Sequence, residues 1–252
     1  MKELLILGAG TSGTMMANHL RKALPKKEWN LTIVDQEETH YYQPGFLFLP
    51  FDLYKTKDVK KKIDKFIPKG VHLIQEKIDR IDKDNDIVIL KNNDIIKYDI
   101  LIIATGTNIA PQEVEGMLGE HWHKSVFDFY TYEGAKNLRN KLRTWEGGKL
   151  VVHISEMPIK CPVAPLEFAF LADSYFINKG MRDKVDITYV TPLSGAFTKP
   201  TCTKALNYLL EEKQINIEID FAIERVDNVK KAIIDFMIFL LWHSNFIFFS
   251  YF

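Results

Sequence analysis

One cysteine of this chain stands where its thiol could do chemistry. Cys161 lies in the turn IKCPVAP, directly after Lys160 and just before an apolar segment of helical length. A neighbouring ammonium group and a following helix N-terminus both lower the pKa of a thiol and favour the nucleophilic thiolate. The alternative interpretation is a small apolar core residue, because free cysteines are often buried.

Three glycines near the N-terminus have the spacing of a phosphate-binding loop. The motif GAGTSG contains Gly8, Gly10 and Gly13, with Ser12 among them, between an apolar strand and an amphipathic helix. In such a motif the first glycine makes a tight turn, the second lets a pyrophosphate approach, and the third lets the helix pack on the strand. Asp35, at the end of the next predicted strand, is expected to bind the ribose hydroxyls and to disfavour NADP. The motif predicts a dinucleotide site.

A later strand delivers a second candidate segment. The stretch KYDILIIATGTNIAP reads as a buried strand with Ala104, Thr105 and Gly106 at its carboxyl end. Ligands bind at this end of the strands in open parallel sheets. We therefore expect these three residues to line the same nucleotide site.

The strand that enters the cysteine turn begins a second strand-turn-helix unit. Between Ile154 and Phe176 this unit has no glycine, and Pro162 and Pro165 stiffen its turn. A pyrophosphate cannot approach such a backbone as it approaches a glycine loop. We expect this unit to keep the fold without binding a nicotinamide nucleotide.

The elements that must position these residues alternate along the chain. Apolar runs of strand length alternate with segments of helical period, which predicts an α/β fold with parallel βαβ units. We interpret residues 1–110 as a first Rossmann-like domain and residues 111–235 as a second, incomplete one. Residues 236–252 form an apolar tail, interpreted as the product of a frameshifted or truncated gene, or else as a lipid-facing anchor.

Composition excludes several function classes. The 33 basic residues equal the 33 acidic ones, so nothing in the charge balance favours nucleic acid as a partner. Two cysteines are too few for a disulfide scaffold. The N-terminal apolar run is too short for a signal peptide and enters the glycine motif. His121 and His123 lack further spaced ligands, so no metal site is predicted.

Several of these motifs together resemble a known family. The segments GAGTSG, HYYQPGF, IIATGTNIAPQEVEGM and KCPVAPLEFAFLAD are similar to those of the sulfide:quinone oxidoreductases, over roughly residues 1 to 235. The resemblance implies an FAD/NAD(P)-binding Rossmann-like flavoprotein with two dinucleotide-binding-type domains. FAD is the implied cofactor, sulfide the implied electron donor and a membrane quinone the implied acceptor. Peripheral association with a membrane is implied as well, and a homo-oligomer stays open.

The same resemblance implies roles for individual residues. Cys161 matches a redox cysteine at which family members oxidise sulfide. Glu167 matches a glutamate proposed to move protons, and the alternative interpretation is an ordinary polar position on a helix. Gln43 and Pro44 match a loop on the flavin side. The partner cysteine of the family lies in a C-terminal third that this chain does not reach, and Cys202 is interpreted as structural.

Other interpretations stay open at this point. One is a flavoprotein similar to the type II NADH:quinone reductases, and another is a flavin-binding remnant without catalytic activity. Residues 37–54, rich in aromatic side chains, are interpreted as a loop folded onto the core, with a wall over a planar ring or a lipid-facing surface as alternatives. His153, near the end of the strand before the cysteine turn, is interpreted as a core residue.

Overall fold

The chain folds into two units. The computed structural model describes residues 1–235 and 246–250. Residues 1–42 and 57–107 form the first unit, and residues 43–56 belong to the second unit with the chain from residue 108 onward. The sequence-based boundaries at 110 and 235 stay a prediction. In the structure, residues 43–56 leave the first unit, and β16 (Phe246–Ser250), beyond the predicted boundary at 235, belongs to the second unit.

The first unit is built on a parallel sheet. Its order is β5-β2-β1-β9. The remaining strands form a three-stranded antiparallel sheet, β6-β7-β8, and a β3-β4 pair. The elements are β1 (Lys2–Leu7), α1 (Thr11–Ala23), β2 (Trp29–Asp35), β3 (Thr39–Tyr41), β4 (Lys60–Lys62), β5 (His72–Gln75), β6 (Ile78–Asp82), β7 (Ile87–Leu90), β8 (Ile95–Lys97) and β9 (Ile100–Ile103).

The first strand reads as a continuous apolar run because both of its faces are buried. Leu4 and Ile6 pack in one apolar cluster with Ala17 of α1. Leu5 and Leu7 pack in another cluster, which includes residues of β7. Parallel sheets are typically covered on both faces, and their strands then lose the alternation of polar and apolar residues. This double burial fixes the carboxyl end of β1, from which the glycine motif continues.

The second unit contains a five-stranded parallel sheet. Its order is β10-β16-β11-β12-β13, and β14 and β15 form a separate antiparallel pair. The elements are β10 (Val126–Phe127), α2 (Tyr132–Thr144), β11 (Gly148–Ile154), α3 (Ala164–Asn178), β12 (Val185–Val190), α4 (Pro200–Glu212), β13 (Asn216–Glu218), β14 (Ile223–Asp227), β15 (Ala232–Asp235) and β16 (Phe246–Ser250). Residues 43–56 contribute two short 3-10 helices, Gln43–Leu47 and Leu49–Phe51.

Helix α2 begins later than its sequence suggests. The stretch 126–145 reads as one helix, yet Val126–Phe127 is a strand and the helix starts at Tyr132. The Thr131 hydroxyl caps the helix by accepting a hydrogen bond from the Gly134 amide at 3.0 Å. The buried Asp128 carboxylate accepts one from the Thr131 amide at 2.7 Å. These two polar side chains satisfy amides that would otherwise be unpaired, and so they fix the helix start.

Part of the apolar tail is a strand. Strand β16 pairs in parallel with β11 on one side and β10 on the other. A strand inside a parallel sheet is typically a continuous apolar run, which agrees with the sequence of β16. Residues 236–245 and 251–252 lie outside the described residues, so the interpretation of the tail as frameshifted or lipid-facing stays a prediction. Within the described ranges, no helix combines the length and apolarity needed to cross a membrane.

Candidate functional site

The glycine motif forms a close contact between two turns of the first unit. Gly8 is buried with φ +92°, and a Cβ at this position would lie 2.4 Å from the Ala104 carbonyl oxygen. A Cβ at Gly13 would lie 1.8 Å from the Gly8 carbonyl oxygen. Neither approach is open to a residue with a side chain. The motif therefore fixes α1, the end of β1 and the end of β9 against one another.

Gly10 has a different role, because it faces open space. A Cβ built there meets no atom within 4 Å. Gly10 is the N-cap of α1, whose first turn contains Ser12 and no acidic residue, and in the described part of the chain no side chain caps this helix. Free amides at the positive end of a helix dipole attract phosphate. The residues present thus fit the pyrophosphate of a dinucleotide.

Asp35 braces this loop from the end of β2. Its Oδ2 atom accepts a hydrogen bond from the Ala9 amide at 2.6 Å, and its Oδ1 atom accepts one from the Glu37 amide at 2.9 Å. The ring of His40 also reaches the loop, with its Nδ1 atom 3.1 Å from the Ala9 carbonyl oxygen. Each carboxylate oxygen keeps a second lone pair with which it can bind a hydroxyl. The bond to Ala9 is a function of Asp35 that the sequence motif did not indicate.

The end of β9 lies at the same edge. The Ala104 amide donates to the Leu7 carbonyl oxygen at 2.7 Å, so the strand pairing continues up to the Gly8 turn. Thr105 and Gly106 follow it and are exposed, and Gly106 has φ +71°. The structure thus brings together the glycine motif, Asp35 and the segment from Ala104 to Gly106 in the first unit.

Gln43 and Pro44 lie in the second unit. Both are exposed at the start of the 3-10 helix Gln43–Leu47. The side-chain oxygen of Gln43 accepts a hydrogen bond from the Lys160 ammonium, in the cysteine turn. Phe46 and Phe51 of this segment are buried, as expected for a loop folded onto a core. No periodic pattern in the sequence could have indicated the contact between Gln43 and Lys160.

The cysteine turn presents Cys161 to solvent in a strained backbone conformation. Cys161 is exposed, so its interpretation as a buried core residue is wrong. Its φ of +54° lies in the left-handed region, which is uncommon for a residue with a side chain. Its carbonyl oxygen accepts hydrogen bonds from the Ala164 amide at 3.0 Å and the Tyr130 hydroxyl at 3.3 Å. Helix α3 begins directly after this turn, so its N-terminal dipole acts near the thiol.

Two charged residues flank this cysteine. Partial burial lowers the pKa of the Lys160 ammonium, and the Cys161 thiolate opposes that shift by stabilising the charged form. Glu167 is exposed in the first turn of α3, and its backbone amide donates to the Val163 carbonyl oxygen at 2.9 Å. Cys202 is also exposed, in the first turn of α4.

Among the histidines considered from sequence, His153 is a core residue, and His121 and His123 make hydrogen bonds. His153 is fully buried, and burial lowers its pKa to about 3, so the ring is neutral at physiological pH. Its ring packs edge-on against Phe221 at 5.6 Å, which confirms the core interpretation. The Nε2 atom of His121 lies 3.0 Å from a backbone carbonyl oxygen, and that of His123 lies 3.3 Å from an Asp128 carboxylate oxygen.

An ion cluster holds residues 43–56 in the second unit and has no sequence signature. The Asp52 carboxylate accepts hydrogen bonds from Arg139 and from both the Nε and Nη2 atoms of Arg143, the latter two at 2.9 and 2.7 Å. Burial alone would raise the pKa of Asp52, but the hydrogen bonds from the two arginines lower it below its usual value. These charged residues are so far apart along the chain that a single sequence cannot predict which of them form ion pairs.

Comparison with known proteins agrees with this architecture. Residues 2–153 match the family described as pyridine nucleotide-disulphide oxidoreductase. The mitochondrial sulfide:quinone oxidoreductase of Dictyostelium discoideum is 25% identical over 215 residues, covering 85% of this chain and 47% of the relative. A type II NADH:quinone oxidoreductase of Staphylococcus aureus is 32% identical over 123 residues, 46% of this chain and 29% of the relative. The chain thus spans about half the length of the sulfide:quinone oxidoreductases it matches.

Solved structures show the same fold. The crystal structure of the sulfide:quinone oxidoreductase from Aquifex aeolicus has a TM-score of 0.85 and 23% identity, covering all of this chain and 58% of the other. A parallel sheet with a glycine loop at its carboxyl edge, followed by a second parallel sheet, defines the class of Rossmann-like nucleotide-binding oxidoreductases. The chain belongs to the pyridine nucleotide-disulphide oxidoreductase family. This membership implies a flavin, and it confirms the predicted fold class.

Proposed function

We propose that this chain binds the flavin and oxidises the sulfide in an enzyme of the sulfide:quinone oxidoreductase type, with FAD as its cofactor. The observation that carries the proposal is the cysteine turn. The second unit keeps the strand-turn-helix of a nucleotide site, yet an exposed cysteine stands where a glycine loop would be needed. Similarity to sulfide:quinone oxidoreductases over 85% of the chain supports it.

In this proposal Gly8, Gly10 and Gly13 hold the pyrophosphate, and Asp35 binds the ribose. Ser12 and the segment from Ala104 to Gly106 line the same site. Flavin bound there supplies an acceptor for two electrons.

The chain's own sulfur chemistry takes place at Cys161. The sulfur of hydrosulfide joins the Cys161 thiolate sulfur, which forms a persulfide and releases one proton and two electrons. Bound flavin would accept these two electrons, and a quinone would be their final acceptor. The Lys160 ammonium favours the anionic sulfur species by its charge. Glu167 takes up the proton as an exposed carboxylate in the first turn of α3. Because quinones dissolve in lipid, the proposal includes docking at a membrane surface.

A visible spectrum of the flavin-loaded chain tests this proposal. We expect sulfide to bleach the flavin band of the wild-type protein and of Cys202→Ser, the matched control with the other exposed cysteine changed. The Cys161→Ser variant should keep its flavin and lose the bleaching. Bleaching that survives in Cys161→Ser would contradict the proposal.

A type II NADH:quinone reductase is the competing assignment, because such a relative matches 46% of the chain. The same experiment separates the two. Bleaching by NADH, with none by sulfide, would select the competing function. Bound flavin that no donor reduces would select a flavin-binding protein without turnover.

A further inference from the structure

Lys160 is held by a residue far away in the sequence. Its ammonium donates a hydrogen bond to the Gln43 side-chain oxygen, across a separation of 117 positions. The lysine immediately precedes Cys161, so the position of the ammonium affects the charge that the thiol experiences. A lysine side chain on the surface otherwise samples many rotamers, and its time-averaged field at a neighbouring thiol is weakened.

Both partners of this hydrogen bond are fixed to the same helix. The Lys160 turn leads directly into α3. The segment that carries Gln43 packs on α3 through Phe51, whose ring lies 4.8 Å from that of Phe168 and 5.6 Å from that of Tyr175. The Asp52 ion cluster anchors this segment to α2 as well. Gln43 is therefore presented to Lys160 by a braced segment and not by a free loop.

We propose that Gln43 is a positioning residue that holds the Lys160 ammonium beside Cys161 and thereby increases the fraction of thiolate. Through that contact, residues 43–56 become part of the sulfur site. The inference builds on the proposed function for its meaning in catalysis, although the electrostatic effect can be measured without any turnover.

Other polar groups near the turn do not substitute for this ammonium. The Tyr130 hydroxyl donates to the Cys161 backbone carbonyl oxygen and is not a cation. Glu156 before the turn and Glu167 after it are exposed carboxylates, which disfavour a thiolate. Among the charged groups that flank Cys161 in the turn and in the first turn of α3, Lys160 supplies the favourable charge, together with the α3 dipole.

The pH dependence of alkylation tests the inference in the flavin-loaded chain. The rate at which iodoacetamide modifies Cys161 is measured by peptide mass spectrometry from pH 5 to 10. Cys202, exposed in the first turn of α4, is followed in the same molecules as an internal reference. We expect Lys160→Met to raise the midpoint for Cys161 by about one pH unit, a roughly tenfold loss of thiolate at pH below the midpoint. Lys160→Arg, which keeps the charge, should restore most of the reactivity.

Gln43→Leu should raise the same midpoint by about half a unit, because the ammonium is present but no longer held. In the Lys160→Met background, Gln43→Leu should add nothing, since it acts through the lysine. Leu53→Ala, a change at an exposed residue of the same segment, is the matched control and should leave the midpoint unchanged. Gln43→Ala replaces Gln43→Leu if the latter fails to fold, and unaltered Cys202 reactivity reports a folded protein.

Two results would overturn the inference. One is an alkylation midpoint of Cys161 that does not move in folded Gln43→Leu protein. The other is a midpoint shift by Gln43→Leu that is equally large in the wild-type and Lys160→Met backgrounds. Sulfide bleaching is scored separately. If bleaching is absent while the effect of Gln43→Leu on the midpoint depends on Lys160, the proposed function fails and the positioning role stands. If bleaching is present and that dependence is absent, only the positioning role fails.

Discussion

Two alanine substitutions in the glycine motif should separate folding from flavin binding. A methyl group at Gly13 would lie 1.8 Å from the Gly8 carbonyl oxygen, whereas real Cβ contacts are not closer than 3.0 Å. The helix must therefore move by at least 1.2 Å, the difference between these distances. Both contacting parts are backbone, so no side-chain rotation relieves the clash. Overpacking costs about 1–3 kcal/mol, and we expect Gly13→Ala to lower the free energy of unfolding by about 3 kcal/mol.

Gly10→Ala should leave folding intact and weaken the binding of the flavin. Its Cβ meets no protein atom within 4 Å, and its φ of −68° suits alanine. The free energy of unfolding of the flavin-free protein should therefore change by less than about 0.5 kcal/mol. The new methyl group occupies the space through which the phosphates approach α1. We expect at least a roughly tenfold loss of affinity for FAD, about 1.4 kcal/mol.

Urea unfolding of flavin-free protein measures the free energy of unfolding, and quenching of FAD fluorescence on titration measures the affinity for FAD. The two variants should show different patterns: Gly13→Ala loses stability, and Gly10→Ala loses affinity for FAD without losing stability. Wild-type affinity in Gly10→Ala would refute the assignment of this loop to the pyrophosphate. Wild-type stability in Gly13→Ala would refute the packing argument.

Three further predictions concern the second unit, each measured by urea unfolding. Asp52→Asn should lower the free energy of unfolding by up to about 1 kcal/mol at pH 7, because the ion pair is partly exposed. Since the native pKa of Asp52 is lowered, this advantage of the wild type should disappear as the pH falls below about 4. His153 has a native pKa of about 3, so the unfolded chain binds its proton first, and wild-type stability should fall by about 1.4 kcal/mol per pH unit between pH 6.5 and 3. His153→Gln should remove that dependence, and an unchanged slope would contradict the burial argument. Cys161→Gly should be more stable than Cys161→Ala by about 1 kcal/mol, because φ is +54° there; equal stability would mean that the turn is not strained.

Sequence patterns predicted the first unit well because its determinants are local. The spacing of Gly8, Gly10 and Gly13 and the acid at the end of β2 are readable within 35 residues. In each of these elements, neighbouring residues and the apolar period carry the information.

The second unit depended on contacts that no local pattern encodes. Residues 37–54 read as an aromatic loop, and the contacts that tie residues 43–56 to this unit, such as the bonds of Asp52 to Arg139 and Arg143, join residues far apart in sequence. Strand β16 lacks the alternation that identifies a strand, because it pairs on both sides within a parallel sheet. Such features follow from partners distant in sequence, and propensity cannot supply them.

The two strand-turn-helix units of this chain meet the same geometric demand with different residues. After β1 the backbone turns through the left-handed region at Gly8, with φ +92°, and after β11 it does so at Cys161, with φ +54°. Glycine adopts this conformation freely, whereas a residue with a Cβ pays roughly 1–2 kcal/mol. A thiol at the second position therefore works against the stability of the turn. Strain of this kind persists where the side chain serves a purpose that packing does not. Cys161 is exposed, so burial of its sulfur cannot offset the strain. Under the proposed function, the reactivity of this thiol is the reason for a cysteine in place of a glycine at this turn.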